Sequence, residues 1–322
     1  MESQQLAHSL EQIILSWGVH STVARAVATN MAQAHACGHA SHGVQLLPRY
    51  HRWLTQLKIL NTQPQLTFDR TPDPSSVSVD AHRSFGHWAL PEILRQAAAS
   101  SSDVVQFSAR RLGHTGYVAQ CLRDAQLQDR VLILWINTSG SRLVRPWQAQ
   151  GKWMSSTVMA AAMPGGWVMD MGLAATAENS VHHRLHSGQQ LAPGQVALEC
   201  GASTTDPGAL YTVTAQGLNA AQSTAAILFG DHRWFAQALL AESLAGVLTG
   251  SGTGQSSSFF QGAWGILVRV SPEQQQRLAQ YAQWIQQTGA RLPGTQHDGH
   301  IQLLSWEQAL LDQWLHSPQG CA

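Results

Sequence analysis

The sequence predicts an α/β fold with helical segments at both ends, and three observations carry that prediction. Between residues 75 and 137 strand-like and helix-like patterns alternate; the first sixty residues hold apolar side chains at helical spacing; the stretch after residue 270 contains two helix-start signals. With 322 residues and 44% hydrophobic content the chain can fill one large domain or two ordinary ones.

Taken in order, Leu6 to Leu15 repeats apolar residues with a helical period and stops at Gly18. A second helix follows Ser21 and ends at Gly38, where glycine suits the C-terminal cap. A third places Leu46, Leu47, Tyr50, Trp53, Leu54 and Leu57 on one face, with Pro48 in its first turn, where a missing N–H costs little. SSVSVDA then reads as a strand, ALPEILRQAAA as a helix, VVQFSAR as a strand, YVAQCLRDAQ as a helix and RVLILWIN as a buried strand. TVMAAAM, GWVMDMG and GAWGILVRV are further strands. WFAQALLAESLAGVL, between the last two, is a long apolar helix expected to cover one face of the sheet. Residues 186–222 and 250–258 are rich in small and polar residues and read as irregular surface loops. Ser271-Pro272-Glu273-Gln274 and Ser305-Trp306-Glu307-Gln308 each open a helix with a capping-box arrangement. The expected organisation is a helical portion, 1–70 packed with 271–322, and an α/β portion, 71–270, that carries cofactor and substrate.

Composition narrows the function classes. Nineteen basic and nineteen acidic residues cancel, so nothing marks a nucleic-acid or anionic-membrane partner. Lysine occurs only at Lys58 and Lys152, which leaves two candidates for lysine-based catalysis, neither in a promising context. Cys37, Cys121, Cys200 and Cys321 are far apart, which argues against a zinc knuckle, a redox pair or a disulfide framework and suggests a reducing, cytoplasmic setting. No stretch approaches the roughly 18 apolar residues of a membrane span, and the N-terminus has no signal-peptide pattern. The G-x-G-x-x-G, P-loop and G-x-S-x-G motifs are absent in their required contexts. His182, His183 and His186 are spaced so that two imidazoles share a helix face, as metal ligands require. With no cysteine or carboxylate inside that run a solvated face is the expectation, and no metal is predicted.

The stretch GHASHGVQLLPRY, residues 38–50, is the most informative. Gly38, His39, Ser41, His42 and Gly43 make a poor hydrophobic joint, because a buried polar group needs a partner. They suit a site where a substrate meets a proton donor. The competing reading is that Ser41 and His42 only cap two helices.

That stretch resembles the signature G-H-x-S-H-G-V-x-x-x-P-x-Y of the malate/L-lactate dehydrogenase family that lacks the ordinary dinucleotide fold. The same family includes ureidoglycolate, sulfolactate and diketogulonate dehydrogenases and cyclic imino-acid reductases. RRLGHTGYVAQ, WVMDMG, TTDPGAL, ESLAGVLTGSG and ARLPGTQ resemble further family motifs and occur in the family's order.

The resemblance implies a three-layer α/β/α fold with a mixed sheet, a helical portion built from both termini, and a homodimer acting on a small-molecule substrate. It implies that His42 gives a proton to a 2-oxo or imine group while reduced NAD or NADP delivers hydride, a task an imidazole suits at neutral pH. Ser41 would assist, and Arg49 would grip a carboxylate with its planar fork. His114, Ser156 and Thr157 would face the substrate. The cofactor would be held by Val168, Met169, Asp170, Met171 and Gly172, by His232 and Arg233, and by the turn Pro293-Gly294-Thr295.

The sequence also departs from the family. G-T-N-P appears as Ser155-Ser156-Thr157-Val158, K-G appears as His232-Arg233, and an arginine two positions before the signature proline is Leu46. Glycine lets backbone approach a ligand, and lysine differs from arginine in reach, so these changes bear on the cofactor. Three functions follow: an NAD(P)H-dependent reductase of a 2-oxo acid or cyclic imine, a relative repurposed for redox-independent isomerisation or cyclisation, and a non-catalytic homodimeric scaffold.

Overall fold

The computed structural model describes residues 1–69, 73–164, 166–214, 217–294 and 301–317. Thr295 of the expected cofactor turn, and Cys321, lie outside them. The chain divides into two compact units. The first comprises Met1–Leu134, Met159–Asp170 and Ala263–Ala322, the second Trp135–Val158 and Met171–Gly262.

Three helices open the first unit: α1 (Ser3–Ser16), α2 (Ser21–Ala36) and α3 (Leu47–Thr55). Helix α2 ends in a Schellman turn. Gly38 takes φ +79°, its N–H donates to His35 O (2.9 Å), and the His39 N–H donates to Ala34 O (2.7 Å). This turn ends the helix just ahead of the histidine stretch. The apolar faces of α1 to α3 form one buried cluster with Ile301, Leu311 and Trp314, in which Leu6, Leu10, Ile14, Val23, Val27 and Leu47 are fully enclosed. Each such aliphatic side chain contributes about 1.5–3 kcal/mol on burial.

The α/β alternation follows: β1 (Thr67–Phe68), β2 (Ser76–Asp80), α4 (Gly86–Ala98), β3 (Val104–Leu112), α5 (Val118–Asp124), β4 (Arg130–Thr138), β5 (Val158–Ala162) and β6 (Val168–Gly172). With β12, given below, these strands make a seven-stranded mixed sheet of order β1-β2-β3-β12-β4-β5-β6, most of whose residues belong to the first unit. β1 pairs antiparallel with β2, whereas β2 and β3 pair in parallel through the α4 crossover, with Val77 opposite Phe107 and Val79 opposite Ala109. Arg130, with no exposed surface, donates to Ala98 O, Ser100 O, Ser102 O and Asp103 O, and so satisfies carbonyls at the end of α4.

In the second unit α6 (Glu178–His186) leads into β7 (Val196–Ala197), β8 (Ser203–Thr204), β9 (Thr212–Thr214), β10 (Gly217–Asn219) and β11 (Ala226–Ile227). Residues 186–222 are therefore not wholly irregular. β9 and β10 form a hairpin and β11-β7-β8 a small sheet, strands too short for an alternation to show in sequence. Helix α7 (His232–Ala241) runs into a π-helical stretch, Glu242–Leu248. This segment meets the sheet through its small residues rather than its large ones, with Ala245 O against Gly262 of β12 and Gly246 against the Asn137 side chain of β4. Its small residues Ala238, Ala241, Ala245 and Gly246 are buried, while Leu239, Leu240, Val247 and Leu248 are exposed.

The last elements are β12 (Gln261–Arg269), α8 (Pro272–Gln287) and α9 (Ser305–His316). Helix α8 has the expected capping box, with Ser271 Oγ accepting from Gln274 N and Gln274 Oε1 accepting from Ser271 N. The box at α9 is shifted by one residue. Leu304 holds the cap position, and its N–H donates to Glu307 rather than to Gln308. Among the described residues no helix is long and apolar enough to cross a membrane.

Candidate functional site

Between α2 and α3 the chain makes two short 3-10 turns, Ala40–His42 and Val44–Leu46, so Ser41 and His42 lie in a tight connection rather than in a long helix. The connection is pinned by a residue the motif reading passed over. His35, in the last turn of α2, is buried and its Nε2 accepts the Val44 N–H at 3.1 Å. A Cβ at position 43 would run into that ring, so only glycine lets the turn pass. The Gln45 side chain donates to Ser41 O at 2.6 Å and closes the turn from the other side. Ser41 Oγ lies 3.1 Å from His42 Nδ1, which orients the imidazole. Both residues keep partial solvent exposure, as a group that meets a substrate requires.

Four further side chains of the first unit gather around this turn. The His42 and His114 rings are parallel within 4° with centroids 6.2 Å apart. Tyr50, fully buried on α3, places its hydroxyl 2.8 Å from His114 Nδ1 and 3.1 Å from His87 Nε2. Arg49, the third residue of α3, sits with its guanidinium 6.0 Å from the Trp53 ring centroid. Burial, with the positive charge of His42 added, lowers His87 to about 3. Burial, then His87, His42 and Arg49, holds His114 well below its ordinary value. Burial pushes the Tyr50 phenol well above 10. Helix α5 is set beside this group by Asn30, whose side chain donates to Tyr117 O and accepts from Tyr117 N, each at 2.9 Å.

At the start of β6 Val168 is buried and its N–H donates to Pro293 O at 3.4 Å, while Arg123 donates to Gly294 O. Asp170 Oδ2 accepts the Ala119 N–H at 3.0 Å at the start of α5. Solvent reaches Asp170, yet the crowding chain raises its carboxyl to about 6 against the pull of the Ala119 and Val118 N–H groups. The first unit thus brings together Ser41, His42, Arg49 and His114, and places Val168 beside Pro293 and Gly294.

Ser156, Thr157, Met171, Gly172, His232 and Arg233 fall in the second unit. There the polar contacts gather on Ser155, one position before the expected pair. Its N–H and hydroxyl both donate to Glu242 Oε1 (3.1 and 3.2 Å), the hydroxyl also meets Asn137 Oδ1, and the Gly254 N–H donates to the same Glu242 oxygen at 3.0 Å. Thr157 is buried, with Oγ1 lacking a hydrogen-bond partner. His232 and Arg233 open α7. Asp231 caps that helix through the Arg233 and Trp234 N–H groups and pairs with the Arg233 guanidinium at 2.5 Å. The His182 and His186 rings stack at 4.3 Å, and Glu178, one turn earlier, accepts from Tyr211 Oη at 3.1 Å. Among the described residues no group of three or more His, Cys, Asp or Glu is placed to hold a metal.

Comparison with known proteins places the whole chain. The malate/L-lactate dehydrogenase family profile matches residues 1–300. An L-lactate dehydrogenase from Cupriavidus necator is 26% identical over 261 residues, covering 78% of this chain and 70% of the relative. A Delta(1)-pyrroline-2-carboxylate/Delta(1)-piperideine-2-carboxylate reductase from Pseudomonas putida is 27% identical over 257 residues, covering 76% and 70%. The structure of sulfolactate dehydrogenase from Methanocaldococcus jannaschii superposes with a TM-score of 0.77 at 17% identity, over 99% of this chain and 97% of that one. It shares the α/β fold with its mixed sheet. The chain belongs to the malate/L-lactate dehydrogenase family of oxidoreductases.

Proposed function

We propose that the chain is an NAD(P)H-dependent reductase of a small 2-oxo acid or cyclic imine, with His42 as the proton donor. The observation that carries this reading is the Ser41–His42 hydrogen bond on a pinned turn, with His114 parallel to His42 and Arg49 on the adjoining helix turn. Ser41 fixes the His42 ring so that its other nitrogen faces the reacting atom, and the imidazole gives a proton as the carbon accepts hydride. Arg49 supplies a fork that matches the carboxylate shared by 2-oxo acids and imino acids. Relatives named as an L-lactate dehydrogenase and as a cyclic imino-acid reductase support both substrate classes.

The donors of the first unit fit a nicotinamide cofactor by their chemistry. Asp170, even held up to about 6, is mostly a carboxylate near neutral pH and would accept from the N–H groups of a carboxamide. Arg291, close enough to His39 to lower that ring's pKa, supplies a cation for phosphate. Bound there, the reduced nicotinamide supplies the hydride. Titrating NADH and NADPH while following thermal stability tests this. A ligand selective for the folded state raises the unfolding temperature, whereas no shift at millimolar concentration removes the reductase reading.

A homodimer is the assembly we propose. In support, the sixteen residues of α8 bury only Ala282 and expose Tyr281 and Trp284, whereas helices in proteins draw most of their stability from packing an apolar face. Light scattering at twice the monomer mass is the expected result.

A further inference from the structure

We propose that Tyr50 and His87 are positioning residues that hold His114 as its Nε2–H tautomer, so that His114 presents a hydrogen-bond donor to an oxygen of the substrate. The second half rests on the functional reading above; the tautomer itself does not.

The argument follows three groups in series. Tyr50 Oη lies between His87 Nε2, at 3.1 Å, and His114 Nδ1, at 2.8 Å. A neutral imidazole has one N–H and one lone pair, and a phenol has one O–H to give. Because the phenol O–H of buried Tyr50 must also find an acceptor, the chain of bonds runs in one of two directions. In the first, His87 Nε2–H donates to Tyr50, Tyr50 donates to His114 Nδ1, and the His114 proton sits on Nε2. In the second every arrow is reversed, and His114 Nε2 carries only a lone pair.

His87 decides between them. It is 1% exposed, and its Nδ1 is buried without a hydrogen-bond partner. The second direction would leave an N–H at that atom, whereas the first leaves a lone pair. An orphaned buried N–H is rarer in folded proteins than an unused lone pair, so the first direction is favoured. Burial keeps both imidazoles neutral near pH 7, which the argument needs.

The consequence concerns specificity. His114 Nε2 makes no hydrogen bond among the described residues, and its ring lies parallel to His42. A donor at that place fits the keto oxygen of a 2-oxo acid and not the N–H of a protonated cyclic imine, whereas toward the carboxylate, which both classes carry, it does not discriminate.

The test is nitrogen NMR of the full-length protein labelled with 15N-histidine, with His114→Gln used to assign the His114 signals. The expected spectrum shows a protonated Nε2 and an unprotonated Nδ1 for His114. In Tyr50→Phe, which deletes the link, the Nδ1 signal should move toward the tautomer average, and kcat/KM for a 2-oxo acid should fall by about tenfold or more with cofactor affinity unchanged. A protonated Nδ1 in the wild-type protein overturns the proposal, whatever the variants do. An unchanged His114 spectrum in a folded Tyr50→Phe protein does so too. The Nε2–H spectrum in an enzyme that binds no nicotinamide leaves the lock standing and removes the functional reading alone.

Discussion

Lowering the pH from about 7 to about 5 should destabilise the fold through His87. The unfolded ring takes up its proton near 6.5, whereas the buried ring does so only near 3. Between those values the unfolded chain binds more protons, so stability falls as pH falls. Each unit below the unfolded value costs about 1.4 kcal/mol, so the change removes about 2 kcal/mol through this side chain alone. His87→Phe deletes the titration while keeping an apolar ring among Tyr50 and Phe85, which stand 5.5 and 6.1 Å away between centroids. Urea denaturation at both pH values, on both proteins, gives the comparison. The variant should lose about 2 kcal/mol less than the wild type on acidification. Equal losses would refute the claim that His87 is buried neutral in the folded state.

Gly43→Ala should cost about 1–3 kcal/mol by overpacking against the His35 ring, read by denaturation, and should displace the His42 turn enough to lower turnover. Glu242→Gln, which weakens an acceptor shared by the N–H groups of Ser155 and Gly254, should lose about 1.5–3 kcal/mol of stability in the same assay. Asn30→Ala leaves the Tyr117 N–H without its partner, while Tyr117 O keeps the Gln120 N–H. It should lower the melting temperature of the protein and, because α5 also holds Asp170 and Gly294, weaken nucleotide binding.

Much of the fold was legible because periodicity records burial. The α1 to α3 faces, the alternation from β2 to β4, and the strands β5, β6 and β12 all follow the apolar pattern. Helix α7 misled, because an apolar sequence says nothing about whether its large or its small residues turn inward. Leu239 and Leu248 are exposed while Ala241 and Ala245 are buried. The histidine stretch stood out as a polar, glycine-flanked run, and His42, Ser41 and Arg49 could be picked from it.

The groups that hold the site in place could not. His35 is a lone imidazole near the end of α2, and Tyr50 reads as one more apolar contact on α3. His87 is 37 positions from Tyr50, and their pairing exists only after folding. Glu242 is the one charge inside an apolar segment, and it is buried and collects three donations around Ser155 and Gly254. A weak signal was present in each case, a polar residue inside an apolar pattern, but it named no partner.

The most direct test of the central claim is the turnover of wild-type and His42→Ala proteins with NADH or NADPH and a panel of 2-oxo acids and cyclic imines. The account predicts nicotinamide oxidation by the wild type and a loss of about 10²- to 10⁴-fold in kcat for the variant, with cofactor affinity retained. Equal turnover by the two proteins would contradict it.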